Sequence, residues 1–294
     1  MRDLSPVFSE FRSWIGRTDV RQDVVTAAPL VALSALLDRD DPPPREGDAA
    51  PPLAHWLYFL PNYRQSDAGP DGHALKGTFL PNIPLPRRMW AGSRLEFRRP
   101  LAVGASVSRV SKIVDVVPKE GRSGPLVFLT VRHEVSDAEG PVLVDEHDIV
   151  FRGERGQPPR GQDSTTVLAN APTPAPSDEQ WRREIHPDPV LLFRYSAVTF
   201  NSHRIHYDYP YVTNVEGYPG LVVHGPLIAT LLVDLLRRSR PDTVLRGYSF
   251  RALLPLYDTA NFCTCGIPDE AARTARLWTR DAQGAVTMEA TARW

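Results

Sequence analysis

At 294 residues, with 42% apolar and 23% charged side chains, the chain has the composition of an ordinary globular protein with room for one or two domains and a substantial core. Its net charge of −1 excludes the strongly basic balance of a nucleic-acid binder. Two cysteines, Cys263 and Cys265, cannot build a disulfide framework and point to a reducing compartment.

The N-terminus carries Asp3 and Glu10 and lacks an apolar core segment, so it resembles neither a secretory signal nor a transit peptide. No apolar run is long enough to span a bilayer, because the one starting at Leu221 is interrupted by His224 and Asp234. A cytoplasmic protein without membrane or nucleic-acid partners is expected.

After a short opening segment, Val7 to Arg17, a helix is predicted from Thr26, which can cap it. Pro29 falls in its first turn, and Leu30, Val31, Leu33, Leu36 and Leu37 supply its apolar positions. It stops before the charged, proline-rich run from Arg39 to Pro44. The aromatic stretch His55–Leu60 is expected as a strand or strand-like segment, followed by a loop holding Gly69, Gly72 and Gly77. From Met89 onward the pattern turns to strands: Ser93–Phe97, Ser106–Val117, an alternating strand through Val127, Leu129, Val131 and Val135, then Val142–Phe151 after a turn at Asp137–Gly140.

Between Gly153 and Asp188 the chain is polar and proline-rich, which marks a linker. Beyond it, Ser196, Thr199, Asn201, His203, His206 and Asp208 crowd thirteen residues with groups capable of proton chemistry. A long helix then begins at Gly225–Pro226. Its apolar residues from Leu227 to Leu236 cover nearly every face, so burial rather than amphipathicity is expected, and Arg237, Arg238 and Arg240 suit its negative end. Strands follow at Thr243–Leu256, Asn261–Gly266, Ala272–Arg280 and Ala285–Trp294, the last two joined through Asp281–Gly284. Helix-then-strands thus occurs twice, implying two similar α+β domains.

The second half resembles the MaoC-type enoyl-thioester hydratases and dehydratases. Tyr195-Ser-Ala-Val-Thr199 matches the family's entry, Ile205-His206-Tyr207-Asp208 the end of its catalytic motif, and Val222-Val-His-Gly225 its helix-start signature. The variant Phe200-Asn-Ser-His-Arg-Ile-His-Tyr-Asp208, with Arg88-Met-Trp-Ala-Gly92 and Phe97-Arg-Arg-Pro100 in the first half, is similar to a narrower branch: mesaconyl-CoA hydratases, itaconyl-CoA hydratase relatives and type 2 3-hydroxyacyl-thioester dehydratases. The resemblance implies a double hotdog of curled antiparallel sheets, each wrapping a buried helix. The N-terminal hotdog would span 1–153, the linker 154–188, and the catalytic hotdog 189–294. It also implies reversible hydration of an acyl-CoA or acyl carrier protein thioester with no metal or organic cofactor; a homodimer is compatible with it.

One departure matters. The family's catalytic aspartate aligns with Asn201, and its Asn-Pro with His203-Arg204. Asn201 can orient a water but cannot take its proton, which moves that duty to His206, while the Gly225 amide at a helix N-terminus can polarise a thioester carbonyl. The catalytic candidates are therefore Asn201, His206 and Gly225. Candidate substrate contacts are Ser196, His203, Arg204, His224, Arg251 and Trp90. His203 and Asp208 also admit structural roles, the tyrosines 207, 209 and 211 alternate as a strand edge would, and His203, His206 and Asp208 have a spacing that a metal could use. The first half shows no counterpart of His206. It is expected to line the acyl channel with Trp56, Tyr58, Phe59 and Trp90, the acyl group running towards Leu30–Leu37. Thioester hydrolysis, or binding without catalysis, is the competing function.

Overall fold

The computed structural model describes residues 10–121, 124–153 and 172–294. They form one ten-stranded antiparallel sheet. Its strands are β1 (Thr18–Val24), β2 (Arg87–Phe97), β3 (Ser106–Gly121), β4 (Gly124–Asp137), β5 (Gly140–Arg152), β6 (Trp181–Ile185), β7 (Gly247–Ala252), β8 (Phe262–Asp269), β9 (Thr274–Arg280) and β10 (Val286–Arg293). The spatial order is β1-β3-β4-β5-β2-β7-β10-β9-β8-β6, so the strands of each half stay together and meet at the β2–β7 pair. That seam runs from Gly92 opposite Arg251 to Glu96 opposite Gly247. Gly92 is required there, since a Cβ on it would lie 2.3 Å from the Phe250 carbonyl oxygen.

Among the described residues the helices that bear on the site are α1 (Ala27–Leu36), α2 (Pro189–Thr199), α3 (Tyr209–Asn214) and α4 (Gly225–Ser239). Every residue of α4 from Leu227 to Leu236 is buried, as its all-round apolar sequence predicts. It packs against β6, β8, β9 and β10. The helix α1 buries Leu30, Leu33 and Leu36 and rests mainly on α2 and the 54–57 segment.

Asp234 ties these parts together. Although buried within α4, its carboxylate accepts from Arg39 just beyond α1 at 2.9 Å, from Arg183 of β6 at 2.9 Å and from Arg238 at 2.7 Å. A buried carboxylate needs such partners, because an uncompensated charge in this position costs several kcal/mol.

Several elements differ from expectation. Residues 54–57 form a 3₁₀ turn, entered through Leu53 in the left-handed region, and not a strand. The strand β1 precedes α1 with charged and apolar residues mixed along it, which hid its period. Part of the expected linker is the edge strand β6, paired with β8, while residues 154–171 lie outside the described residues, as do residues 7–9 of the opening segment. The helix α2 begins where the linker ends. Its start was written in Asp188, whose side chain accepts from the Leu191 amide at 2.7 Å, and in Pro189 in the first turn. Tyr209 and Tyr211 sit on α3 and not on a strand edge.

Candidate active site

The site begins where α2 ends. Phe200 takes a left-handed conformation (φ 49°, ψ 37°), and the Asn201 amide returns to the Ser196 carbonyl at 2.8 Å. This reversal turns Asn201 out of the helix direction at the cost of a non-glycine residue at positive φ, a kind of strain that functional sites tolerate. The Asn201 side-chain oxygen accepts from the His203 amide at 3.0 Å. Arg204–His206 then form a 3₁₀ turn, and Asp208 caps α3 by accepting from the Tyr211 amide at 3.0 Å.

A loop from the first half clamps this segment. The Gly72 carbonyl accepts from Ser202 Oγ at 2.5 Å and from the Tyr63 hydroxyl at 2.6 Å. Gly72 has φ +89°, and a Cβ there would stand 1.9 Å from the Ser202 carbonyl oxygen, so only glycine permits the approach.

His206 is buried. Its Nδ1 lies 2.6 Å from the Val222 carbonyl oxygen, which can only accept, so Nδ1 carries the proton and Nε2 keeps its lone pair. The His224 ring stacks on it at 3.6 Å, and the His203 ring meets it edge-on at 5.5 Å. Burial pushes His206 down to about 4, partly opposed by the Val222 hydrogen bond. Burial likewise holds His203 and His224 well below the usual imidazole range, helped by the neighbouring histidines. All three are therefore neutral at neutral pH.

The first turn of α4 completes the arrangement. No side chain caps it and Pro226 has no N–H, so the helix start presents backbone amides at its positive end. Gly225, His206, Asn201, His203, Trp90 and Arg88 line one cavity of about 320 Å³. A second cavity of about 410 Å³ shares Asn201, Trp90 and Arg88 with it and extends into the first half past Trp56, Tyr58 and Phe59. The expected aromatic lining is thus present, but the space leads to the 55–61 segment and the inner faces of β3–β5. It does not lead to the α1 leucines, which are consumed in the core.

The other candidates divide. Ser196 and His224 are buried and hydrogen-bonded to each other, Oγ to Nε2 at 2.8 Å, behind His206 and not in the cavity wall. Arg204 is spent on Asp208 at 2.8 Å and on the Pro70 carbonyl at 3.0 Å. Arg251 departs furthest: its side chain is 71% exposed and pairs with Glu289 on the outer sheet surface, because alternation along β7 turns it away from the core-facing Phe250.

His203, His206 and Asp208, whose spacing a metal could use, are not brought together as ligands, since Asp208 is occupied by capping and Arg204. A different trio, Asp71, His73 and His203, has its donor atoms within 4.8 Å of one another. The Arg88 charge bears on both of those histidines, an environment that disfavours a dication.

The first half contributes more than expected. His73, Arg88 and His147 line the cavity although no histidine precedes α1. The visible signal was slight: an Asp71-Gly-His73 turn in a glycine-rich loop, and an arginine beside Trp90.

This fold, with a neutral histidine and an open helix start in one cavity, defines a class of hotdog hydro-lyases working on acyl thioesters. Residues 53–258 match the family model of hydroxyacyl-thioester dehydratase type 2, and the chain belongs to that family. It is 45% identical to a mesaconyl-C(4)-CoA hydratase of Chloroflexus aurantiacus over 86% of this chain and 88% of that protein. It is 24% identical to a mitochondrial hydroxyacyl-thioester dehydratase type 2 of Schizosaccharomyces pombe, over 77% and 79% respectively. A MaoC-like dehydratase from Phytophthora capsici superposes with a TM-score of 0.69 at 16% identity, covering 95% of this chain and 96% of that one. A double-hotdog protein of Mycobacterium tuberculosis gives 0.54 at 14% identity, with 97% of each chain covered. The fold is a double hotdog.

Proposed function

We propose that the protein reversibly hydrates a short dicarboxylic enoyl-CoA of the mesaconyl type, with Asn201, His206 and the Gly225 amide carrying the chemistry. The observation behind this reading is the meeting, in one cavity, of a neutral imidazole of fixed tautomer and an uncapped helix N-terminus. The 45% identity to the mesaconyl-C(4)-CoA hydratase supports the choice of substrate and of CoA as its carrier.

The thioester oxygen accepts from the Gly225 amide, where the α4 dipole favours negative charge. The Asn201 side chain holds a water. His206 Nε2 removes one of its protons while the water oxygen bonds to the β-carbon, and the double-bond electron pair moves to the α-carbon and the thioester oxygen. The enolate then takes the proton back from Nε2 onto the α-carbon, leaving a neutral imidazole and a 3-hydroxyacyl thioester. Read backwards, the same steps are a dehydration. They require no metal or organic cofactor.

Two domains belong to this reading: residues 1–153 shape the substrate space, and residues 189–294 carry the proton chemistry. Cytoplasmic residence also belongs to it, supported by the free thiols of Cys263 and Cys265.

The test is direct. Addition of mesaconyl-C4-CoA should bleach the conjugated enoyl-thioester absorbance and form the hydroxyacyl thioester without releasing free thiol. Release of thiol from a saturated acyl-CoA instead would replace hydration with thioester hydrolysis.

A further inference from the structure

Arg88 is a cation without a partner. It stands on β2 two residues before Trp90 and lines both cavities, yet its guanidinium makes neither a hydrogen bond nor an ion pair among the described residues. Burial lowers its pKa, and Asp71 and Tyr63 are the groups whose charge favours its protonated form. Asp71 is already engaged, accepting from the His73 amide at 3.0 Å and His73 Nδ1 at 2.9 Å.

The charge at the wall of the 320 Å³ cavity is not balanced there. Among the described residues lining it, Arg88 is the one Asp, Glu, Lys or Arg side chain. His73, His147 and His203 are held neutral by burial, so they donate or accept without adding charge. One positive charge is left over at the wall of a mostly apolar cavity. A buried or half-buried guanidinium without an anion costs free energy unless a ligand supplies the anion.

The place of Arg88 limits what that anion can be. It shares the 320 Å³ cavity with Asn201, His206 and Gly225. The phosphates of CoA are separated from the thioester by the whole pantetheine arm and cannot occupy this space together with the reacting double bond. The free carboxylate of a four-carbon unsaturated diacid thioester is attached to the β-carbon itself, beside the point of water attack. From the geometry we infer that Arg88 binds the free carboxylate of a dicarboxylic enoyl thioester and is the residue that selects it over monocarboxylic analogues. This assignment rests on the hydratase reading and names its specificity determinant.

The experiment compares mesaconyl-C4-CoA with 3-methylcrotonyl-CoA, which has the same skeleton with a methyl group where the carboxylate stands. In Arg88→Gln the ratio of kcat/KM for the diacid to that for the monoacid should fall on the order of 10²-fold, the scale of one lost charge-assisted bidentate contact, with partial recovery in Arg88→Lys. A second measurement needs no variant: the wild-type enzyme should be inhibited at least tenfold more tightly by methylsuccinyl-C4-CoA than by isovaleryl-CoA. A parallel fall on both substrates with an unchanged ratio would overturn the assignment while leaving the hydratase intact. Equal inhibition by the two saturated thioesters would do the same. Wild-type enzyme inert towards both enoyl substrates would remove the hydratase reading, and the role of Arg88 with it.

Discussion

The His224 ring lies nearly flat on that of His206, with 3.6 Å between centroids and 17° between planes, and both are buried. Two imidazolium ions cannot coexist in that stack, and burial already disfavours the first. The pair is consequently neutral, and because His206 Nδ1 is committed to Val222, its Nε2 is the basic atom left at the cavity wall. A weak base in this setting gains basicity only when negative charge develops beside it, as the proposed hydration requires when an enolate forms over the start of α4.

The first prediction follows from the sign of that shift. A general base must be neutral, and the His206 pKa is depressed to about 4, so kcat/KM should stay level through neutral pH and fall only as pH drops towards 4. An acid limb near the ordinary histidine value would show that burial does not control this residue. His206→Ala should lose roughly 10²–10⁴-fold in rate while keeping its thermal transition, and near-normal turnover would remove His206 from the mechanism.

Asn201 has no proton to lose, so the acid limb should report the histidine environment alone. Asn201→Ala should lower kcat about 10-fold or more with a smaller effect on KM, since only water placement is removed. Asn201→Asp should stay active and gain a second ionisation in its pH–rate profile. Parent-like kinetics in Asn201→Ala would end the water-holding role.

How much of this was legible beforehand depended on where each signal lay. The buried α4 announced itself because apolar residues covered all its faces, and the candidate segment from Ser196 to Asp208 stood out because its polar residues are contiguous. Asp208 could be suspected of capping or fixing an arginine, and it does both. The polar part of the wall contributed by the first half was hidden. Arg88, His73 and His147 lie far apart in sequence and meet only because β2 and β5 pair and the 69–73 loop folds onto residues 202–204. Arg251 was misplaced because a strand's alternation is unreadable until the core-facing residue is known; Phe250 takes that face.

That loop gives a third prediction. At Gly72 an added methyl would meet the Ser202 carbonyl at 1.9 Å and would also have to adopt φ +89°, so the clamp must open. Gly72→Ala should destabilise the protein by about 1–3 kcal/mol and should lower kcat by displacing Asn201 and His203. Denaturant unfolding and steady-state kinetics on the same sample check both parts. Unchanged kinetics with lowered stability would mean that the loop supports the fold without positioning the site.

The last prediction concerns the dependence of the second half on the first. The strand β7 is hydrogen-bonded along one edge to β2 and along the other to β10. Cutting away residues 1–153 would leave that β2-facing edge unpaired, with Tyr248 and Phe250 beside it losing the Trp56 and Trp90 rings that pack against Phe250. An open apolar edge is a template for association. The same cut removes Arg39, one of the three arginines on buried Asp234, so the remaining helix α4 carries a less compensated charge. It also removes Trp90 and Arg88 from the cavity wall. The fragment 154–294 should therefore be insoluble or associated, and inactive even where soluble, although it retains Asn201, His206 and Gly225. Size-exclusion chromatography and enoyl-CoA turnover of the fragment decide the matter: a monomeric, active fragment would show that the second half builds the site without its neighbour.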